Sequence, residues 1–313
     1  MPSHVYVSLP LTGPAADLGR DVLRGAELAF EGAAPPEVEL VALDAYGPDR
    51  DKQAEANARI AADDDSALAY LGDFHSSQVA RSAAVLEEAR LLCVAPAATW
   101  IELGGSTLVR LTPHDGALAR AIAAWLSEAS VRDLLVVHDH DEGYGVSVGV
   151  MCAEAARRRG LDVRSRPVWD KDERLADDFN GAQAVLYVGV AGSGAVGLWR
   201  ALHEADPTLW LLATDGAAVP WLARELSGEA AAQTRFFTAQ RAPLAFYGYE
   251  GMALVLDAIA AEGPDRDAIV RAARGTHDRE SIIGRYSLDG DGHTTAPADG
   301  RLAVIDARIA WDR

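Results

Sequence analysis

The stretch ALAYLGDFHSS, residues 67–77, contains the two features on which the fold prediction depends. Its apolar half predicts a buried strand at 67–71, and its polar half, 72–77, leads into a helix predicted at about 78–89. A buried strand that turns directly into a helix is typical of a parallel sheet whose faces are covered by helices. This strand–turn–helix unit is therefore the starting point for the rest of the chain.

The same alternation extends over most of the 313 residues. Apolar residues such as Val22, Ala26, Ala29 and Phe30 recur at helical spacing between the strands, which indicates amphipathic helices. The pattern predicts an α/β fold with parallel strands, and these strands suit either one barrel or two smaller doubly wound sheets. The other predicted strands are 5–9, 38–43, 91–95, 134–138, 163–169, 185–190 and 209–214.

Length and charge limit the classes of function. A chain of 313 residues favours two domains, and the extended stretches 108–115 and 234–243 are candidate crossovers between them. The 47 acidic and 29 basic residues give a net charge of -18, which argues against nucleic acid and anionic membrane surfaces as partners. No run of about 18 apolar residues predicts a membrane-spanning helix. Cys93 and Cys152 are expected to be unbridged core residues.

Polar residues follow several of the predicted strands. Ser76 and Thr99 come after consecutive strands, at the end of a parallel sheet where ligands bind. A serine at a helix start can simply cap the helix, or it can contribute to an anion site together with the helix dipole. Asp215 follows the strand 209–214, where it can be a turn residue or the partner of a cation.

The order of these motifs resembles that of a known family. The segments VSLPLTGP (7–14), GDFHSS (72–77), PAAT (96–99) and Asp215-Gly216 are similar to those of the type I periplasmic binding proteins. The similarity is to the branched-chain amino-acid (Leu/Ile/Val-type) solute-binding proteins of ABC importers. It implies two doubly wound parallel-sheet lobes joined by three crossovers. The expected lobes are residues 1–113 with 241–300, and 114–240 with 301–313.

The resemblance also implies which residues bind the ligand. Ser76, Ala97 and Thr99 match residues that bind an α-carboxylate, and Asp215 matches the acidic residue that takes the α-ammonium. That residue is Glu in leucine-binding members, so the shorter Asp is a departure from the family pattern. Leu18 stands where an aromatic is common, and a second cleft aromatic is missing after 187–189. The full set of expected ligand-binding residues is Leu18, His75, Ser76, Ala97, Thr99, Tyr144 and Asp215.

The function implied is that of a solute-binding protein and not of an enzyme. We expect it to capture a small amino acid or analogue between two lobes by hinge closure and to deliver it to the membrane permease of an ABC importer. We expect a monomer with no cofactor, no metal and no nucleic-acid partner. The expected location is extracytoplasmic, either periplasmic or lipid-anchored at the cell surface, with a signal peptide absent from this chain.

Two alternatives remain open from the sequence. One is a cytoplasmic sensor of a small amide or amino acid with the same fold, coupled to gene regulation. The other is an NAD-dependent enzyme, because Gly192–Gly197 fits GxGxxG and Asp215 lies about 20 residues further on. HDHDE at 138–142 could bind a metal but is more simply a solvated loop. DGDG at 289–292 lacks the closing Glu of an EF-hand and predicts a hairpin turn.

Overall fold

The computed structural model describes residues 2–33, 37–139, 143–168, 181–189, 195–218, 220–226 and 228–312. The chain divides into two compact units. Unit 1 contains Met1–His114 and Ala242–Pro297, and unit 2 contains Asp115–Arg241 and Ala298–Arg313. The chain therefore passes between the units three times. The predicted α/β fold with two parallel-sheet lobes is confirmed.

Unit 1 is built on a parallel sheet with the strand order β2-β1-β3-β4-β5. The switch in strand order lies between β1 and β3, and ligands of such sheets bind beside a switch point. The strands are β1 (Ser3–Leu9), β2 (Val38–Asp44), β3 (Ala67–Gly72), β4 (Leu92–Ala95) and β5 (Leu108–Arg110). The helices are α1 (Ala16–Ala33), α2 (Arg50–Ala62) and α3 (Ser76–Glu88), followed later in the chain by α9 (Leu244–Glu262) and α10 (Arg266–Arg274).

Strand side chains of unit 1 alternate between two apolar layers, as a doubly covered sheet requires. Val5, Val7 and Leu9 belong to the layer under α1, α9 and α10. Tyr6, between them in sequence, belongs to the layer under α2 and α3. The continuous apolar runs that predicted these strands therefore reflect burial on both faces.

Unit 2 is built on a sheet with the order β12-β11-β10-β9-β8-β6-β7. The strands are β6 (Asp133–Asp139), β7 (Asp162–Val168), β8 (Ala184–Val188), β9 (Trp210–Thr214), β10 (Thr234–Thr238), β11 (Gly300–Ile305) and β12 (Arg308–Trp311). The helices are α4 (Asp115–Glu128), α5 (Tyr144–Arg158), α6 (Ala195–Ala205), α7 (Pro220–Glu225) and α8 (Gly228–Ala232), and a 3-10 turn spans Asp215–Ala217. Strands β6 to β10 pair in parallel, with helices over both faces.

The end of the chain adds an antiparallel hairpin that the sequence did not predict. β11 pairs with β10 and β12 pairs with β11, both antiparallel. Residues 298–300, which the sequence assigned to the first lobe, group with unit 2 because Gly300 pairs with Thr238 on β10. The predicted hairpin turn at 289–292 is confirmed, since Leu288 and Thr294 form an antiparallel bridge across it.

Helix α9 is long and apolar enough to cross a membrane by length and composition, although no apolar run predicted one. Half of the relevant window is buried in unit 1, and the core helix of a soluble protein has the same features. The helix packs against α1, and it carries Glu250, whose carboxylate pairs with Arg279 at 2.5 Å. These contacts show that α9 is apolar because it is a core helix of unit 1.

Candidate functional site

The first candidate group lies at the carboxyl ends of β3 and β4, which are neighbours in the sheet of unit 1. Ser76 is the first residue of α3, and Thr99 follows β4. The Ser76 Oγ accepts hydrogen bonds from the backbone N–H groups of Thr99, at 3.1 Å, and Trp100, at 3.2 Å. The structure therefore brings together two residues that the sequence placed on separate motifs. We call Ser76 and Thr99 the hydroxyl cluster.

The expectation that Ser76 could cap its own helix is wrong. His75 occupies the cap position, and its N–H donates to the side chain of Gln78 at 3.4 Å. Because Ser76 Oγ accepts two N–H groups, both of its lone pairs are used and its proton is left to donate. No acceptor for that proton is found among the described residues. A hydroxyl that can only donate a hydrogen bond is suited to binding an anionic group.

His75 stands next to Ser76 but does not supply a cation. Burial, and then the positive charge of Arg50, lower the pKa of His75 to about 4, while Asp51 opposes them. The imidazole is therefore neutral at physiological pH. Its ring packs edge-on against Phe74, with ring centroids 5.1 Å apart.

Two residues that the sequence analysis did not identify hold the loop after β4. The Arg110 guanidinium, fully buried on β5, donates to the carbonyl of Trp100. Thr112 Oγ1 donates to the carbonyl of Pro96 at 2.6 Å. Both lie in the stretch 108–115, which the sequence marked only as a crossover. An arginine inside the apolar run LVRL was the available signal, because a buried charge requires partners.

A buried carboxylate lies directly before the hydroxyl cluster. Asp73 accepts hydrogen bonds from Ser8 on β1 and Ser82 on α3, each at 2.6 Å, and from Tyr70 at 3.3 Å. Burial raises the pKa of Asp73 to about 6, although these three hydroxyls lower it. Asp73 thus ties β1 and α3 to the end of β3 and fixes the start of the helix that carries Ser76.

The second candidate group lies at the carboxyl end of β9 in unit 2. Asp215 begins the 3-10 turn that follows this strand. Thr238, the last residue of β10, donates from Oγ1 to Asp215 Oδ2 at 2.9 Å. The hydroxyl of Tyr144, the first residue of α5, donates to Asp215 Oδ1 at 3.4 Å. We call Tyr144, Asp215 and Thr238 the carboxylate cluster.

The charge of Asp215 is not neutralised within the described part of the chain. Its partners there are the hydroxyls of Thr238 and Tyr144 and the backbone N–H groups of Asp215 and Gly216, and no ion pair to it is found among those residues. Burial raises the pKa of Asp215, and the hydrogen bonds from Thr238 and Tyr144 oppose that rise. Burial and the nearby charge of Asp215 also raise the pKa of Tyr144 well above its usual value. A cationic group at Asp215 would relieve this penalty.

Glycine at position 216 is required by a close backbone approach. A Cβ atom there would lie 2.6 Å from the carbonyl oxygen of Gly189 and 3.6 Å from a ring carbon of Tyr144. The turn after β9 therefore packs directly on the end of the β8 segment. This contact fixes the direction in which Asp215 leaves the sheet.

The remaining predicted residues are less clearly tied to either cluster. Ala97 is half-buried in the loop that also carries Thr99, and Leu18 lies on α1 with 46% of its surface exposed. Their contact with a ligand stays a prediction. Gly192 and Gly194 of the GxGxxG motif, and residues 140–142 of HDHDE, lie outside the described residues. Within the described ranges, no group of three His, Cys, Asp or Glu side chains could hold a metal.

Comparison with known proteins identifies the family. The family model described as "Periplasmic binding protein" matches residues 5–245, most of the chain. The chain belongs to this family, and the resemblance seen in the sequence motifs is confirmed. An amino acid binding protein of Pseudomonas aeruginosa is 29% identical over 244 residues, 72% of this chain. The match spans 63% of that relative's length.

Solved structures show the same fold over the whole chain. A leucine binding protein, LivK, from Thermotoga maritima has a TM-score of 0.80 and 24% identity, with 99% of this chain and 98% of that chain covered. An ABC transporter substrate-binding protein from Desulfitobacterium hafniense, in complex with Leu, has a TM-score of 0.83, 20% identity and complete coverage of both chains. These similarities define the architecture as that of the type I periplasmic binding proteins.

Proposed function

We propose that this chain is the solute-binding protein of an ABC importer and captures a small amino acid or close analogue. The observation that carries the proposal is Asp215, a half-buried carboxylate with two hydroxyl donors and no ion pair within the described residues. An ammonium group is the simplest partner for such a carboxylate, because it restores the charge balance that burial removes.

The hydroxyl cluster supplies the complementary chemistry. Ser76 has a hydroxyl proton without an acceptor among the described residues, and it lies at the start of a 13-residue helix, where the dipole favours an anion. An amino-acid zwitterion carries one group for each cluster. We assign its carboxylate to Ser76, Ala97 and Thr99, and its ammonium to Asp215, with Tyr144, His75 and Leu18 as further contacts. Binding then favours a closed arrangement in which both sets of contacts are made.

A thermal-shift screen tests the ligand class. Amino acids and aromatic acids are added singly, and the melting temperature of the protein is recorded. A ligand present at 100 times its Kd stabilises the folded state by about 2.7 kcal/mol, which gives a clear shift. We expect a small amino acid to stabilise the protein. No shift with any amino acid would contradict the proposal.

The substitution Asp215→Ala tests the charge assignment. Removing the carboxylate leaves the ligand's ammonium unpaired, so calorimetry should show at least about tenfold weaker binding of the amino acid. Binding of the des-amino analogue should hardly change, because that ligand has no ammonium group. An Asp215→Ala variant that binds the amino acid as tightly as the wild type would show that Asp215 does not hold the ammonium.

The cellular setting follows from the family and is part of the same proposal. We assign the protein to the extracytoplasmic side, as a monomer that meets the importer's permease, with no enzymatic activity and no cofactor. Neither the family match nor the solved structures support a cytoplasmic sensor or an NAD-dependent enzyme. Titration with NAD checks the enzyme alternative directly, and we expect no heat of binding.

A further inference from the structure

Thr238 is held from both sides at the end of β10. Its side chain is buried, and its Oγ1 donates to Asp215 Oδ2 at 2.9 Å. The same oxygen accepts the backbone N–H of Gln240 at 3.2 Å, and its proton can also be donated to the side-chain carbonyl oxygen of Gln240. The Thr238 Oγ1 atom therefore lies between Asp215 on one side and Gln240, on the chain leaving β10, on the other.

The residues around Thr238 belong to two of the three crossing segments. The chain leaves unit 2 after Arg241, directly beyond Gln240, and returns at Ala298. Gly300 pairs with Thr238, and a Cβ at Gly300 would lie 1.7 Å from the carbonyl oxygen of Gln240. The returning chain thus packs against the departing chain at the residue that holds Asp215.

We propose that Thr238 is a positioning residue for ligand binding: it orients the Asp215 carboxylate and ties that orientation to the segments that leave and re-enter unit 2. The role in ligand binding rests on the proposed function, since it takes Asp215 as the ammonium partner. A change in the position of Asp215 on binding then reaches Gln240 through the Thr238 hydroxyl, and Gly300 packs against Gln240.

The first experiment uses the free protein and needs no ligand. The carboxyl carbon of Asp215 is titrated by NMR in the wild type, Thr238→Val and Thr238→Ser, with Asp215→Asn to assign the signal. Valine removes a donor to the charged carboxylate, so the Asp215 pKa should rise, and serine should restore the wild-type value. Among the described residues, Tyr144 is the titratable side chain that hydrogen-bonds Asp215, and Asp115 on α4 acts on Tyr144 in turn.

Thr234→Val is the matched control for this titration. Thr234 is buried in the same strand, but its hydroxyl donates to the carbonyl of Ala230 at 2.7 Å and accepts from Trp199, so it does not touch Asp215. This variant loses a buried hydroxyl and should leave the Asp215 titration unchanged. An unchanged pKa in Thr238→Val, or equal shifts in both valine variants, would overturn the proposal.

The second experiment separates positioning from general destabilisation. Binding of L-leucine and of 4-methylpentanoate, its des-amino counterpart, is measured by calorimetry. Thr238→Val should weaken binding of L-leucine about threefold to tenfold and leave the des-amino acid within about twofold, and Thr238→Ser should restore the wild-type affinity. Equal losses for both ligands would refute the positioning role. If the wild type binds neither compound nor any other amino acid, the proposed function fails while the NMR titration still decides the role of Thr238.

Discussion

At the scale of single residues, Glu250 connects the long segment after α10 to the core of unit 1. Its carboxylate, almost fully buried on α9, pairs with Arg279 Nε at 2.5 Å and accepts a hydrogen bond from Tyr286 at 2.7 Å. Arg279 also pairs with the exposed Asp257 at 2.8 Å. Glu250 is thus a buried carboxylate that binds both a half-buried arginine and a core tyrosine.

We expect Glu250→Gln to lower the free energy of unfolding by about 2–3 kcal/mol. Breaking a fully buried pair costs about 3–5 kcal/mol, and the loss here is smaller because Arg279 keeps Asp257 as a partner. Glu280→Gln is the matched control, because Glu280 pairs with Arg285 at the surface and such pairs contribute less than about 1 kcal/mol. Urea unfolding measures the loss of stability in each variant. Equal losses in Glu250→Gln and Glu280→Gln would contradict the prediction that the buried pair contributes more than the surface pair.

Some residues of the proposed site could be identified from the sequence, and others only from the structure. Ser76, Thr99 and Asp215 could be proposed because each lies within five residues of the end of a predicted strand, and strand ends are visible in an apolar pattern. Arg110, Asp73 and Thr238 were not found as parts of the site. Their roles depend on partners 10 to 65 residues away in the chain: Trp100 for Arg110, Asp215 for Thr238 and Ser8 for Asp73. No local pattern encodes such pairings.

At the scale of elements, the crossing of α1 and α9 depends on two glycines. A Cβ at Gly25 would lie 1.7 Å from the carbonyl oxygen of Ala245, and a Cβ at Gly248 would lie 1.9 Å from that of Val22. The helix backbones therefore approach too closely for any side chain. Gly32, also in α1, has no atom within 4 Å of its Cβ position.

These contacts predict opposite effects of the same substitution within one helix. Gly25→Ala should lower the free energy of unfolding by at least about 2 kcal/mol, because the two backbones must separate to admit the methyl group. Gly32→Ala should raise it by up to about 1 kcal/mol, because alanine has the higher helix propensity and meets open space. Thermal unfolding of both variants checks the signs. A stabilised Gly25→Ala variant would show that the helices do not cross this closely.

The hairpin of β11 and β12 shows why one element escaped the sequence analysis. Its two turn residues, Asp306 and Ala307, have φ values of 48° and 57°. A two-residue turn with both φ values positive is usually signalled by Asn-Gly or Asp-Gly. Asp-Ala adopts the same turn here without the glycine that marks it. The parallel strands, in contrast, were predictable because their apolar runs are continuous.

At the scale of the whole molecule, acid stability depends on carboxylates that are held by the fold. Burial raises the pKa of Asp64, but hydrogen bonds from His4, the N–H of Ser66 and Tyr6 outweigh it and lower the pKa to about 2. The unfolded value is about 3.9, so Asp64 stabilises the fold above that pH. This contribution is lost as the pH falls towards 2, and Asp64→Asn should remove it.

Asp73 has the opposite effect, and it acts in a different pH range. Its pKa of about 6 in the fold lies above the unfolded value of about 3.9, so between these values the folded state binds more protons. Stability therefore falls as the pH rises from about 4 to 6, by about 3 kcal/mol from this residue, and stays level above that. We expect Asp73→Asn to remove this fall, because the amide does not titrate, whereas Asp64→Asn should leave it in place. Urea unfolding at pH values between 3 and 8 measures the three curves. If the wild type and Asp73→Asn lose the same stability between pH 4 and 6, the buried carboxyl is not the group that titrates there.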